Sequence, residues 1–219
     1  MFRNFVHSSI NFGQDILDKW LINNQCLLCF GPAFAKPWCE ACLLDLPWWN
    51  LNRSPKYAFV DSVTVGFRYD YPIDRLIQSG KYAADYRLVT GLGSLMPKIP
   101  NLKSYPIIYP IPISRWGLLR RGFNQTSLLA SGIFPSKYFH IDEVSIHKRQ
   151  FRPDQSTLNA KGRKLNAHTL FSAKTFNAAQ HAVIVDDVIT TGATVSAVAK
   201  ILKSNGASRV DVYALAAIV

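Results

Sequence analysis

The sequence lacks a long apolar segment. Among its 219 residues no run of about 18 consecutive apolar residues occurs, which argues against a helix that crosses a membrane. Residues 1–21 carry charged and amide side chains throughout, so they do not form the continuous apolar core of a signal peptide. Internal repeats and low-complexity tracts are also absent. We therefore expect a cytoplasmic protein without a membrane span.

Acidic side chains are scarce as well. The 14 Asp and Glu residues stand against 25 Lys and Arg residues, which gives a formal net charge of +11. This excess favours a polyanionic partner, but charge alone does not choose between DNA, RNA and acidic lipid. Part of the charge could instead serve a pocket for an anionic ligand, or simply serve solubility.

Cysteine is absent outside one short segment. The segment contains two Cys-x2-Cys pairs, made of Cys26, Cys29, Cys39 and Cys42. This spacing is typical of a tetrahedral Zn2+ site to which each pair contributes two ligands. A disulfide pair is the competing interpretation, which a reducing cytosol disfavours. Because four thiolates fill the coordination shell of Zn2+, the ion is expected to be structural and not catalytic.

The cysteine segment is also rich in aromatic residues, including Phe30, Trp38 and Trp48. Aromatic side chains beside a zinc site can stack on unpaired bases. Alternatively, they form the small core of a metal-stabilised unit or dock that unit on the rest of the chain. A polar, proline-containing segment follows and predicts a boundary near residue 52. It divides the chain into a unit at 1–52, with an N-terminal helix and the four cysteines, and a second unit at 53–219.

The most informative segment begins with the apolar run 183–185, which predicts a buried strand. Two adjacent carboxylates follow, and then a turn that is rich in hydroxyl groups. Apolar residues recur at helical spacing after Thr194, so a helix is expected to begin there. Its unpaired backbone N–H groups and its dipole favour a phosphate, whereas the carboxylates suit ribose hydroxyls and Mg2+. The expected ligand-binding residues are Val185, Asp186, Asp187, Val188, Thr190, Thr191, Gly192, Ala193 and Thr194.

Strands and helices alternate along the rest of the chain. Apolar patterning predicts strands at 63–69, 107–113 and 209–219, and helices at 72–82 and 125–131. This alternation is typical of an α/β fold with a mostly parallel sheet flanked by helices. Ligands of such sheets bind beyond the carboxyl ends of the strands.

Two basic segments lie outside these predicted elements. Arg115, Arg120 and Arg121 follow the strand predicted at 107–113 and could supply positive charge at its carboxyl end. An ordinary proline-rich turn is the alternative. Residues 147–164 combine many Lys and Arg residues with little apolar periodicity, which predicts a mobile basic loop. Such a loop could close over a ligand, grip DNA phosphates or simply be solvated.

Segment 182–194 resembles the signature of the type I phosphoribosyltransferases, in which four apolar residues precede two acids and a Thr/Gly loop. From residue 26 to residue 219, the chain more closely resembles the ComF family of DNA-uptake (competence) proteins. The residues that carry this resemblance are the paired cysteines, Gly80-Lys81-Tyr82, Arg120-Arg121-Gly122-Phe123-Asn124-Gln125, Gln155, Leu158, Arg163, Asn166 and the Asp-Asp loop.

The resemblance implies a type I phosphoribosyltransferase-like fold with a small N-terminal zinc-binding unit. It also implies a pocket for 5-phosphoribosyl-1-pyrophosphate (PRPP). In that pocket Asp186 and Asp187 are expected to hold Mg2+ and the ribose, while Lys81, Arg115 and Arg163 offset the charge of the pyrophosphate group.

The same resemblance implies a role in natural transformation. The expected partners are single-stranded DNA, a competence helicase and recombination-mediator proteins. Two functions stay open. The chain is either a binding module that couples PRPP to single-stranded DNA, or a phosphoribosyltransferase that releases pyrophosphate from PRPP onto an unknown acceptor.

Overall fold

The computed structural model describes residues 25–33, 37–49, 56–82, 86–97, 106–135, 139–149, 170–173 and 176–218. The helices and strands of these residues are, in chain order, α1 (Glu40–Leu44), β1 (Ser62–Arg68), α2 (Ile73–Tyr82), α3 (Tyr86–Ser94), β2 (Ile107–Pro110), α4 (Arg115–Arg121), α5 (Gln125–Ile133), β3 (His140–Ile141), β4 (Ile146–Lys148), β5 (Phe171–Ala173), β6 (His181–Ile189), α6 (Ala193–Ser204) and β7 (Arg209–Ala217). Within this described part, none of the helices has the length and apolar character that a membrane crossing requires.

Five strands form one parallel sheet in the order β1-β7-β6-β2-β3. A separate pair, β4 and β5, is antiparallel. Strands β6 and β7 are covered on both faces, which explains why their sequences are nearly continuous apolar runs. The predicted α/β class, with a mostly parallel sheet flanked by helices, is confirmed.

Side chains of β6 alternate between two apolar clusters. Val183 and Val185 pack on one face of the sheet with residues of α2, α3 and α5. Ala182 and Ile184 pack on the other face with residues of α6 and of the β4–β5 pair. The alternation follows from the two-residue period of a strand. The sheet is therefore the middle layer between two helical layers.

The described elements differ from the predicted ones in several respects. Strand β2 ends at Pro110 and not at residue 113; α1, β3, β4 and β5 are not predicted, and β4 includes residues 147–148 of the predicted basic loop. Strand β6 extends beyond the predicted 183–185, because its pairing with β7 continues as far as Ile189. Both carboxylates therefore lie on the strand, and the turn begins at Thr190. Helices α3 and α4 are not among the predicted elements. Helix α3 contains small residues where a core face is usually bulky, and α4 buries no residue at all.

The cysteine segment packs directly on the main sheet. Trp48 forms an antiparallel bridge with Phe67 of β1, and the two ring centroids are 4.7 Å apart. Leu27 and Trp38 are buried against α3, where a Cβ atom at Gly91 would lie 2.7 Å from Leu27 Cδ1. The cysteine segment and the sheet therefore share one apolar cluster. The boundary proposed near residue 52 falls outside the described residues.

Candidate functional site

Strand β6 leads into a turn at its carboxyl end, and the turn leads into α6. Gly192 is the N-cap residue of α6 and has a φ of 74°, a conformation that glycine adopts without steric cost. A Cβ atom at this position would also overlap the ring of Tyr57. The N-cap residue Gly192 makes no side-chain hydrogen bond, and Oγ1 of Thr191 accepts a hydrogen bond from the N–H of Ala193 at 3.4 Å. The N–H groups that follow Ala193 in the first turn of α6 point toward the position where an anion would bind.

A shallow depression lies over this turn. Its lining consists of Asp186, Val188, Ile189, Thr190, Thr191, Gly192, Ala193, Thr194 and Val195. Most of the predicted ligand-binding residues are thus together. Val185 is not in this lining, because its side chain is fully buried in the core. Asp187, the next residue along the strand, is also outside this lining.

The two carboxylates have different partners. Asp187 forms an ion pair with Lys81, with 2.7 Å between Oδ2 and Nζ, and also accepts a hydrogen bond from the N–H of Val188. Asp186 is only 7% exposed and accepts a hydrogen bond from the N–H of Asp187. Lys81 therefore offsets the charge of Asp187 directly, and Asp186 has no cation bonded to it among the described side chains.

Electrostatics at Asp186 favour an additional cation. Burial, reinforced by the charge of Asp187, raises the pKa of Asp186 well above its usual range. A divalent cation beside the two carboxylates would favour the ionised form of Asp186. Carboxylate oxygens are the ligands that Mg2+ prefers. The donor set of this pair therefore fits Mg2+.

Side chains of residues 124–126, which follow α4, form hydrogen bonds to the loop after β2 and to α2, the two segments that adjoin the Asp186–Asp187 pair. Asn124 Nδ2 and Thr126 Oγ1 donate to the carbonyl of Ile111, at 3.2 Å and 2.7 Å. The N–H of Ile111 in turn donates to Val185 of β6. Gln125 Nε2 donates to the carbonyl of Ile77 in α2, the helix that carries Lys81. The Arg-Gly-Phe-Asn-Gln segment therefore connects α2 to the loop after β2 through hydrogen bonds.

Thr126 and Tyr57 are not among the predicted site residues. Thr126 carries only a weak sequence signal, since it lies two residues after Asn124, a residue type that is typical of a helix start. Asn124 is the N-cap of α5, but its side chain makes no capping hydrogen bond. Tyr57 has no sequence signal, because it approaches Gly192 only through the folded chain.

The predicted arginines, Arg115 and Arg163, are less closely associated with the site than Lys81 is. Arg115 begins α4 and is exposed, and among the described residues no carboxylate lies within 4.0 Å of its guanidinium. Arg163 and the rest of segment 150–169 lie outside the described residues. The structure thus brings together Asp186, Asp187, Lys81 and the turn, and it leaves the placement of Arg163 a prediction.

The four cysteines form a second cluster, away from the sheet edge. Their sulphur atoms all lie within 4.8 Å of one another, and Sγ of Cys29 and Sγ of Cys39 are 3.6 Å apart. A tetrahedral Zn2+ ion with bonds of about 2.3 Å requires sulphur atoms separated by about 3.8 Å. Backbone N–H groups of Leu28 and Cys42 point at Sγ of Cys26 and Sγ of Cys39. The arrangement fits a structural metal ion.

Thiol electrostatics agree with this fit. Burial raises the pKa of the Cys26 thiol, but hydrogen bonds from backbone groups of Cys29, Cys39 and Leu28 outweigh burial and lower that pKa to about 6. Burial and the neighbouring sulphurs raise the pKa of Cys42. Ionisation of both Cys26 and Cys42 is therefore favoured by a positive charge within the cluster, which a divalent metal ion would supply.

Comparisons with known proteins identify the family of this chain. The phosphoribosyl transferase domain family matches residues 117–217. Competence protein F of Haemophilus influenzae is 26% identical to this chain over 212 residues, which are 89% of this chain and 90% of the relative. DNA utilization protein YhgH of Escherichia coli (strain K12) is 31% identical over 156 residues, which are 67% of this chain and 68% of the relative. This chain belongs to the ComF family.

Membership in the ComF family confirms the resemblance predicted from the cysteine pairs, the Arg-Gly-Phe-Asn-Gln segment and the Asp-Asp loop. A third ComF relative, DNA utilization protein YhgH of Salmonella typhi, is 30% identical over 172 residues, which are 75% of this chain and 74% of the relative. A hypoxanthine phosphoribosyltransferase of Staphylococcus aureus is similar with 12% identity and a TM-score of 0.28, covering 64% of this chain and 62% of that one.

Proposed function

We propose that this ComF protein binds PRPP with Mg2+ at the Asp186–Asp187 pair and handles single-stranded DNA in the cytoplasm during DNA uptake. The observation that supports the PRPP assignment is the presence of three features at one sheet edge: the Asp186–Asp187 pair, the Lys81 ammonium and the N-terminus of α6. Each suits a different part of one phosphorylated sugar.

The parts of PRPP are assigned by charge. The 5-phosphate is held by the N–H groups of α6 and the hydroxyls of Thr190, Thr191 and Thr194, since a helix N-terminus favours an anion. The carboxylates accept hydrogen bonds from the ribose hydroxyls and hold Mg2+. Mg2+, when bound, neutralises charge on the pyrophosphate oxygens. Lys81 and, in this proposal, Arg115 and Arg163 supply the remaining positive charge.

The DNA assignment is supported by charge and by relatives. The net charge of +11 favours a polyanionic partner. Two relatives are named for competence and for DNA utilization. We extend that role to this chain, with a competence helicase and recombination-mediator proteins as its partners. In this proposal the four cysteines hold a structural Zn2+ that stabilises the N-terminal unit.

Calorimetric titration with PRPP in the presence of Mg2+ tests the pocket. The wild type is expected to bind saturably, and the double variant Asp186→Asn/Asp187→Asn to lose binding. Asp74→Asn is the matched control, because it removes one carboxylate about 10 Å further along α2 from Lys81. The assignment would be wrong if a folded wild type did not bind PRPP, or if Asp74→Asn lost PRPP binding to the same extent as the double variant.

An active phosphoribosyltransferase is the second candidate function. The observation that favours it is the Lys81–Asp187 ion pair, which places a cation beside the acids where a leaving pyrophosphate group would need one. In such a reaction the C1–oxygen bond to pyrophosphate breaks, and a nucleophile forms a new bond to C1. Pyrophosphate release that depends on an added nucleobase, amine or DNA end supports catalysis. PRPP binding without such release in any of these assays supports the binding module.

A further inference from the structure

Helix α4 buries none of its residues, yet it is fixed at both ends. The hydroxyl of Ser114 accepts a hydrogen bond from the N–H of Gly117 at 3.1 Å. Gly122 adopts the left-handed conformation, and its N–H donates to the carbonyl of Leu118 at 2.7 Å. A seven-residue helix does not persist on intrinsic propensity alone. The caps therefore hold a short helix whose side chains point outward.

The outward side chains of α4 combine large apolar groups with guanidinium groups. Trp116 is 73% exposed and Leu119 is 77% exposed, and Arg115 and Arg120 are exposed beside them. Leu119 lies three residues after Trp116 and four after Arg115, and Arg120 lies four after Trp116, so these side chains are neighbours along one side of the helix. We call these four residues the α4 face. An exposed tryptophan with an apolar neighbour is typical of an interaction site.

The α4 face lies next to the proposed PRPP site. Strand β2 ends at Pro110, and the N–H of Ile111 donates to the carbonyl of Val185 at 2.9 Å, immediately before the acids of β6. The chain then reaches α4 within four residues. Both features therefore lie at the carboxyl edge of the sheet.

We propose that the α4 face is the base-stacking platform for single-stranded nucleic acid. The indole of Trp116 stacks on an unpaired base, and the neighbouring guanidinium groups contact the flanking phosphates. This inference rests on the DNA part of the proposed function and assigns it a surface. Stacking on an aromatic side chain suits any sequence, because every base has a π face.

Charge and shape favour this occupant over a protein. The seven residues of α4 include three arginines and no acidic residue. Their positive charge complements the negative charge of a phosphate backbone. The bases of a duplex are already stacked on each other, so an exposed indole is available only to unpaired ones. A protein partner would depend on Leu119 as much as on Trp116, since it would have to cover both.

The test combines a variant of the ring with a strand that has no bases. Binding of a fluorescein-labelled, mixed-sequence single strand is measured by anisotropy, beside an abasic strand of the same length and charge. Trp116→Ala is expected to weaken binding of the normal strand by about 5-fold to 150-fold, the range of one stacked base. The same variant should leave binding of the abasic strand unchanged. Trp116→Phe should be intermediate, and Leu119→Ala should match the wild type.

Four results would overturn the inference. If Trp116→Ala binds the normal strand like the wild type, the base platform lies elsewhere and the DNA assignment stands. If Trp116→Ala weakens the normal and abasic strands equally, or Leu119→Ala weakens binding as much as Trp116→Ala, the ring does not act by stacking. If a folded wild type that binds PRPP fails to bind either strand, the DNA part of the proposed function itself fails. Trp116→Ala should keep its PRPP affinity in every case, which verifies its fold.

Discussion

Asp186 and Asp211 are both buried aspartates, but they have very different partners. Asp211 accepts hydrogen bonds from Ser62 and Arg209 and is 2.8 Å from Nε2 of His181. Asp186 has one backbone donor, from Asp187, and a raised pKa. Asp211 therefore stabilises the fold, whereas Asp186 costs stability in the ligand-free protein, as is common for residues that serve a ligand.

Replacing each aspartate by asparagine separates the two roles. Asp211→Asn is expected to lower the free energy of unfolding by about 1–3 kcal/mol, because it weakens charge-assisted hydrogen bonds in the interior. Asp186→Asn is expected to raise that free energy at neutral pH, because it removes a buried carboxylate. Thermal unfolding in buffer without Mg2+ measures both changes. Lower stability for Asp186→Asn at neutral pH would contradict this account.

The effect of Asp186 should depend on pH. Since the folded state raises the pKa of Asp186, protonation favours folding. This contribution is fully present below the ordinary pKa of the carboxyl and is lost as the pH rises through the raised value. The stability advantage of Asp186→Asn over the wild type should therefore grow from acidic to neutral pH.

Gly192 is required for two separate reasons, and Gly122 shares only one of them. Both have positive φ, 74° and 78°, but a Cβ atom at Gly192 would overlap Tyr57, whereas one at Gly122 would meet nothing within 4 Å. Gly122→Ala is expected to cost about 1–2 kcal/mol from backbone strain alone. Gly192→Ala should cost more and weaken PRPP binding.

Urea unfolding of both variants measures the difference. Adding Tyr57→Ala to Gly192→Ala should restore the part of the unfolding free energy that is lost to the steric overlap. The part that is lost because alanine disfavours a positive φ should remain lost. Equal losses in the two glycine variants would show that the Tyr57 ring moves aside freely.

At the scale of elements, α5 positions the loop that follows β2. Thr126→Val removes the 2.7 Å hydrogen bond to the carbonyl of Ile111, with little change of shape. We expect a stability loss of about 1 kcal/mol together with weaker PRPP binding, because this loop leads to Arg115. Ser131→Ala in the same helix is the control, since its hydroxyl donates to Leu128 within the helix. The control should lose comparable stability and keep the PRPP affinity measured by calorimetry.

Elements with a periodic apolar pattern could be predicted, and elements without one could not. The helix after residue 193 and the strand starting at 209 follow directly from the spacing of their apolar residues. Helix α3 approaches α5 so closely that Gly93 and Gly132 face each other, and small residues give no apolar period. The apolar residues of α4 face outward, so their pattern predicts no core.

The residues of the candidate site also divide into those that the sequence predicts and those that it does not. The carboxylates and the turn are contiguous in sequence, and their chemistry alone indicates a phosphorylated ligand. The ion pair between Lys81 and Asp187 joins residues that are far apart along the chain, and nothing in either segment specifies their contact. Only the resemblance to the family led to Lys81, and neither pattern nor resemblance led to Tyr57 or Thr126.

At the scale of the whole molecule, Leu27 and Trp38 of the cysteine segment belong to the same apolar cluster as residues of the sheet. Cys39→Ser is expected to lower the stability of the entire fold by more than about 3 kcal/mol, since loss of a structural metal is among the costlier changes. This corresponds to a melting temperature lower by about 6 °C or more. Leu44→Ala in the same unit is the control, because Leu44 is 79% exposed.

Thermal unfolding together with metal analysis measures this effect. The wild type should contain about one Zn2+ per chain, and Cys39→Ser less. An unchanged melting temperature after loss of the ion would show that the packing of Leu27 and Trp38 survives without the metal.

Strand β1 is an outer strand of the sheet, and the chain beside the cysteine cluster covers its free side. The N–H of Trp49 donates to the carbonyl of Gly66, and the N–H of Arg68 donates to the carbonyl of Pro47. Uncovered outer strands pair with strands of other molecules and seed aggregates. The cysteine unit therefore also protects the sheet against self-association, so if that unit holds Zn2+ as proposed, a shortage of zinc should first show itself as insoluble protein.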